Sequence, residues 1–140
     1  MLDRILIFLA IVAIGVTLYR VYTARRLRHA TQSAPADPLL ADAPRGVPTV
    51  VYFTTPTCAP CQLQVTPMLR RLQAEYGDGL HIVRVDATQD PDAASRWGVL
   101  TVPTTFVFDA DGQARAAYNG VFTEHQIKRE LGLSSDSQAA

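Results

Sequence analysis

Fifteen consecutive residues, Ile5 to Tyr19, carry neither a charge nor a proline. A helix built from them is apolar on every face and has no polar side to turn toward water, which argues against a helix of a soluble core. At 1.5 Å per residue the run covers about 22 Å, short of the ~30 Å hydrocarbon core of a bilayer. Leu2 extends it at one end and Val21 and Tyr22 at the other, while Arg20 can carry its guanidinium out to the headgroups. One N-terminal transmembrane helix is therefore expected, with residues 1–29 as anchor and basic flank. A cleaved secretory signal is the alternative. It would need a positive start, whereas Asp3 offsets Arg4, and a small-residue cleavage site soon after the run, whereas "YRVYTARRLRHATQ" follows.

The anchor leaves room for one compact domain. Five of the 13 basic side chains lie within residues 1–30, so residues 31–140 hold eight basic against twelve acidic ones. A mildly acidic globular part has no electrostatic footprint for nucleic acid, and that partner is not expected. Arg25, Arg26 and Arg28 read as headgroup and orientation charges. Four basic residues follow the span and one precedes it, so the charge rule puts the domain on the cytoplasmic face. The extracytoplasmic face is the alternative.

Residues 30–46 shift to Ala, Pro, Asp and Ser and read as a tether, although "PLLA" has the character to dock. Regular patterning then begins and runs over 47–133. "TVVYFTT" reads as a buried strand. "CQLQVTPMLRRLQAEYG" has apolar residues at helical spacing (Leu63, Val65, Met68, Leu69, Leu72, Tyr76), with Pro67 removing a bond to the Leu63 carbonyl. "LHIVRVDA" is a second strand, and "DPDAASRWG" a short helix with Pro91 in its first turn. Thr104–Gly120 holds two strands joined through Asp111-Gly112. "TEHQIKREL" is a helix with Thr123 and Gln126 as a capping box. The polar tail 134–140 is expected to be disordered. The order β-α-β-α-β-β-α predicts an α/β domain with a mixed four-stranded sheet flanked by helices.

The chain has two cysteines, Cys58 and Cys61, in "TTPTCAPCQ". Two cannot build a disulfide scaffold. A structural zinc needs two further ligands, and His29, His81 and His125 match no zinc spacing, so no metal is expected. The pair sits at a strand-to-helix junction, where sheets of this kind expose their sites. Near a helix N-terminus, Cys58 faces free N–H groups that favour its thiolate and lower its pKa below the ~8.5 of free cysteine. Cys61, one turn further in, points the same way and can attack a mixed disulfide formed on Cys58. Cys58 is thus the candidate nucleophile and Cys61 the resolving thiol.

These features bring a family into view. "CAPC" after a buried strand, "WGVLTVPTTFVFDADG" after the second helical unit and "YNGV" after the hairpin resemble the thioredoxin superfamily over about Val47 to Leu133. The resemblance implies a thioredoxin-like fold and thiol–disulfide oxidoreductase activity on the thiols and disulfides of other proteins. It implies no metal or organic cofactor and an upstream electron donor. It makes Pro103 a cis-proline opposite the pair, with Val102 presenting backbone groups to an incoming strand. Thr57, Ala59, Pro60, Val102, Pro103 and Gly120 become the substrate-facing residues, a side chain at Gly120 being expected to block substrate. Ala59 and Pro60 between the cysteines resemble the reducing branch.

The sequence also departs from that pattern. Tyr52 stands where these proteins carry a buried acid, Ile82 where a buried lysine is usual, and Thr57 where a tryptophan is common. Pro67 lies one residue further from the pair than is usual, and no room remains for the family's first strand and helix. The alternative function is a membrane-tethered thioredoxin-fold binding module with little or no redox turnover. Of the other residues, Trp97 is expected to pack against the Pro103 loop, Asp86 to cap the turn after its strand, and His125 to be solvated.

Overall fold

A computed structural model describes residues 2–33 and 37–133, with side chains for 3–25 and 37–133; the tail 134–140 lies outside the described residues. Helix α1 spans Leu2–Ser33. Its segment Asp3–Arg25 is long and apolar enough to cross a membrane, with a mean hydropathy of 2.2 and no part of it buried. The helix runs on past the apolar run because Arg, Leu, Ala and Gln are good helix formers and the first proline is Pro35.

Four strands, β1 (Thr49–Thr54), β2 (His81–Asp86), β3 (Thr104–Phe108) and β4 (Ala114–Asn119), form one sheet in the order β2-β1-β3-β4. β1 pairs parallel with β2 and antiparallel with β3, and β3 continues into β4 as an antiparallel hairpin. β4 and β2 form the two edges of the sheet. Helices α2 (Thr66–Tyr76) and α4 (Glu124–Glu130) close one face of the sheet and α3 (Pro91–Arg96) the other. The mixed sheet between helices is the architecture expected from the element order.

All six residues of β1 are buried, so successive side chains feed two cores. Val50 and Tyr52 join Val65, Leu69, Leu72, Val107, Ile127 and both cysteines. Val51 and Phe53 join Val85, Ala93, Phe106, Phe108 and Trp97. Trp97 belongs to this second cluster, on which Val102 of the Pro103 loop also packs. It stacks edge-on against Phe106 and Phe108 at 5.1 and 5.8 Å and lies 5.9 Å from Phe53, on the α3 face.

What holds the indole there begins in the segment read as a tether. Asp37 is buried and caps a single 3-10 turn, Pro38–Leu40, by accepting from Leu39 N at 3.0 Å. Its other carboxylate oxygen accepts from Trp97 Nε1 at 3.0 Å and Arg96 Nε at 3.3 Å. Leu39 and Leu40 then pack on the aromatic cluster, so "PLLA" does dock.

The caps follow the sequence signals. Thr123 and Gln126 form the capping box on α4, Asp90 caps α3 through Ala93 N at 2.9 Å, and Asp86 Oδ1 accepts from both Thr88 N and Thr88 Oγ1.

Candidate active site

β1 ends at Thr54, and Cys58 N donates to Thr55 O at 3.2 Å across the turn that follows. Helical backbone starts at Ala59, with the Cys58 carbonyl accepting from Gln62 N at 3.1 Å, so Cys58 stands at the N-terminal boundary of the helix. Gln62 Nε2 reaches back to the Pro56 carbonyl and ties that turn to the helix.

The helix does not run regularly. Pro67 has no N–H to give the Leu63 carbonyl, and the turn Cys61–Val65 is π-helical, with Thr66 N bonding to Cys61 O. The wide turn shifts the register of the apolar stripe. Val65, Met68, Leu69 and Leu72 are buried, but Leu63, expected on that stripe, is 76% exposed.

Strand register gathers the rest of the site. Phe53 pairs with Thr104, which sets Pro103 beside the end of β1, and Thr104 pairs with Asn119, which sets Gly120 opposite Pro103. Gly120 N donates to Pro103 O at 2.7 Å, and Thr104 Oγ1 donates to Thr101 O at 2.6 Å. The Val102–Pro103 peptide bond is cis. Pro103 is buried, Val102 half-buried, and Thr57, Ala59 and Pro60 are exposed beside the pair. Sequence reading missed two exposed apolar side chains flanking this arrangement, Leu100 at 83% and Val121 at 48%. Both sit next to motif residues in the chain, but nothing in a single sequence says that they face solvent.

The backbone itself constrains Gly120, apart from any effect a side chain there would have on substrate. A Cβ there meets nothing within 4 Å, so space in the fold does not demand glycine. Its φ of +101° does. Gly120→Ala should destabilise the domain by about 1–3 kcal/mol, read as a lower midpoint in thermal denaturation, through backbone strain at a position packed on Pro103.

Cys58 and Cys61 are joined in a disulfide, with Cα atoms 5.2 Å apart. Cys61 is wholly buried and Cys58 is 8% exposed. Cys61 N lies 3.3 Å from Cys58 Sγ and donates to it. In the dithiol form the same N–H and the helix end favour negative charge on Cys58. Neither residue anticipated as departing from pattern supplies a carboxylate or an ammonium. Tyr52 is 1% exposed with its hydroxyl 3.4 Å from Thr66 Oγ1, and Ile82 packs half-buried on the same core. Among the described residues no three His, Cys, Asp or Glu side chains come together as a metal-ligand group.

The thioredoxin family model matches residues 40–132, two-thirds of the chain, including every residue of this site. The chain belongs to the thioredoxin family. It is 34% identical over 67 residues to thioredoxin 1 of Synechococcus elongatus, covering 48% of this chain and 61% of that protein. Identity to the thioredoxin of Bacillus subtilis is 38% over 61 residues, or 44% and 57% of the two chains. Thioredoxin 1 of Chlorobaculum tepidum is 31% identical over 85 residues, or 61% and 82%. In the first two cases the match spans less than two-thirds of the relative's length. Among solved structures, mitochondrial thioredoxin 3 of Saccharomyces cerevisiae in its oxidized form superposes with a TM-score of 0.52 at 26% identity, covering 61% of this chain and 76% of that one. As a thioredoxin-family domain, the chain presents its cysteine pair at the end of the sheet where β1 stops and β3 begins.

Proposed function

We propose that this chain is a membrane-anchored thiol–disulfide oxidoreductase that reduces disulfides of other proteins through Cys58 and Cys61. The observation that carries the reading is the asymmetry of the pair. Cys58 lies at the helix boundary with an N–H on its sulfur, while Cys61 is sealed behind it. An attacking thiol needs access and a stabilised thiolate; a resolving thiol needs only to reach its neighbour. In the dithiol form the Cys58 thiolate attacks a substrate disulfide and one substrate thiolate leaves. Cys61 then loses its proton and attacks Cys58 Sγ. The internal disulfide forms, the second substrate thiolate leaves, and two electrons have passed to the substrate. An upstream dithiol must reduce the pair again.

Thr57, Ala59, Pro60, Val102, Pro103 and Gly120 form the substrate-facing rim, with protein segments as ligands and no metal or organic cofactor taking part. The full chain in detergent micelles, reduced and freed of excess dithiol, should reduce one equivalent of a peptide disulfide while both of its own thiols disappear. A chain that keeps two free thiols and leaves the peptide oxidised would refute the reading.

Anchoring rests on the apolar span Asp3–Arg25, and the basic residues Arg20, Arg25, Arg26 and Arg28 at and beyond its C-terminal end favour a cytoplasmic domain. Cells expressing the full chain should hold it in the membrane fraction through a carbonate wash, and removal of residues 2–25 should release it. A reporter enzyme active only outside the cytoplasm, fused after Ala140, should stay silent; strong activity would reverse the assignment of sides.

A further inference from the structure

The two edges of the sheet differ. β4 pairs irregularly with β3 around Val107 and Phe108, and a break of that kind blunts an edge. β2 runs in unbroken register with β1 over all six of its residues and has no strand on its other side. It contains no proline, lysine or bulge, which are common devices for keeping an edge from pairing. His81 N donates to Pro48 O and Ala87 N to Thr54 O, both at 2.9 Å, so the odd-numbered residues of β2 turn their amides toward β1. Ile82 and Arg84 therefore point their N–H and C=O groups away from the sheet. No hydrogen bond among the described residues takes these groups up. The carbonyls on either side are occupied, Leu80 O by Gln73 Nε2 and Asp86 O by the turn amides of Gln89 and Asp90.

Beside this open stretch lies a crevice of about 170 Å³ between α2 and β2, walled by Tyr52, Leu69 and Ile82, with Arg70 and Arg84 at its margin. It has room for one large aliphatic or aromatic side chain. Both arginines are exposed, and neither forms an ion pair among the described residues, although Arg71, Arg96, Arg115 and Arg129 all do. Arg84 acts on Asp86 only through space. Open backbone groups, an apolar hole and two unpaired cations thus lie side by side, and one extended chain can satisfy all three.

We propose that the edge of β2 is a docking site for an extended segment of another protein, pairing antiparallel with Ile82 and Arg84. The segment carries a carboxylate opposite Arg84 and, two residues on, a large apolar side chain that enters the crevice opposite Ile82. Alternation along a strand puts both on the α2 face. Antiparallel pairing is the more stable ladder. A second copy of β2 that set Asp86 on Arg84 would set Thr88 on Ile82, leaving the crevice without an apolar side chain. No redox step enters, so the site does not rest on the proposed activity and should bind equally well in Cys58→Ser.

The test uses the full chain in micelles and a capped, fluorescent peptide, Ser-Thr-Glu-Thr-Ile-Thr-Ser, read by anisotropy. This peptide should bind at least about tenfold more tightly than either of two controls. One control places the glutamate and isoleucine next to each other, which turns them to opposite faces. The other keeps every side chain but carries N-methyl groups on the glutamate and isoleucine amides, the ones that face β2. An N-methyl group on the threonine between them, whose amide faces away, should leave the affinity unchanged. Arg70→Ala and Arg84→Ala should each weaken binding about two- to fivefold at low salt and less at high salt. Equal binding of the peptide methylated on its β2-facing amides overturns the proposal, because edge pairing is then not what holds the segment. Absence of binding at millimolar peptide overturns it too. So does a peptide-free chain that is dimeric as wild type and monomeric as Arg84→Pro, a change that removes an outward N–H, since a second copy then occupies the edge. A chain that binds the peptide as expected but reduces no disulfide refutes the redox reading and leaves this site standing.

Discussion

Cys58→Ser should reduce peptide-disulfide reduction to the uncatalysed background, a loss on the order of a thousandfold or more, because a serine hydroxyl at neutral pH offers no thiolate equivalent. The partner substitution should behave differently. In Cys61→Ser the Cys58 sulfur still attacks, but nothing buried behind it can release the product, and protein should accumulate in mixed disulfides on Cys58. The asymmetry of burial makes this a one-sided expectation: a substrate cannot reach Cys61, which is wholly buried, before it meets Cys58. Thiol labelling of the reduced Cys61→Ser chain should stay fast below pH 8, where a free cysteine near 8.5 slows. Labelling that falls off like a free thiol would show that the helix end and the Cys61 N–H do not hold the thiolate. Full turnover by Cys58→Ser would end the redox reading.

The second large effect is structural and lies far from the cysteines in sequence. Asp37→Ala in the full chain should cost about 2–3 kcal/mol. Stranding the buried Trp97 N–H accounts for about 1–3 of this, and losing the cap on the Pro38–Leu40 turn for roughly 0.5–1. Arg96 adds little, since its side chain is 45% exposed. For a domain of this size the midpoint of thermal unfolding should fall roughly 10–20 °C, and Trp97 fluorescence should report it.

The pH dependence has a definite sign. Burial raises the Asp37 pKa, but hydrogen bonds from Leu39 N, Arg96 and Trp97 outweigh it and hold the carboxyl below its ordinary value. A folded pKa below the unfolded one gives stability that is present above the unfolded pKa and lost as pH falls through the folded one. Wild type should therefore lose its advantage over Asp37→Ala at acid pH, below the usual carboxylate range near 4. A difference that stayed constant well below that range would show that the carboxylate's charge is not what holds the indole.

Much of this protein is legible in one dimension because the signals are local. An all-apolar helix, strands of β-branched and aromatic residues, capping residues at Thr123 and Asp90 and an Asp-Gly turn each depend on neighbours a few positions away. The same holds for Cys58 at a helix start, since the helix N–H groups that act on its sulfur come from the residues that follow it. Asp37 is not in that class: the tether reading of residues 30–46 passed over it, and its acceptance from Trp97 60 positions away has no local trace.

What only the tertiary structure decided depends on register between distant strands and on which face of the sheet a side chain takes. The pairing of Phe53 with Thr104 and of Thr104 with Asn119 brings Pro103 and Gly120 to the cysteine pair. A one-residue slip in either would turn every side chain to the opposite face. Trp97 went to the α3 face because Phe53, Phe106 and Phe108 alternate onto that side and Asp37 waits there for its N–H. The π turn at Cys61–Val65 put Leu63 into solvent against the helical period, since a proline's missing N–H is absorbed wherever the surrounding packing allows. Tyr52 and Thr105, read singly, are an aromatic and a β-branched residue suited to any strand. Only strand register and the packing of α2 set them opposite each other and bring the Tyr52 hydroxyl 3.4 Å from Thr66 Oγ1.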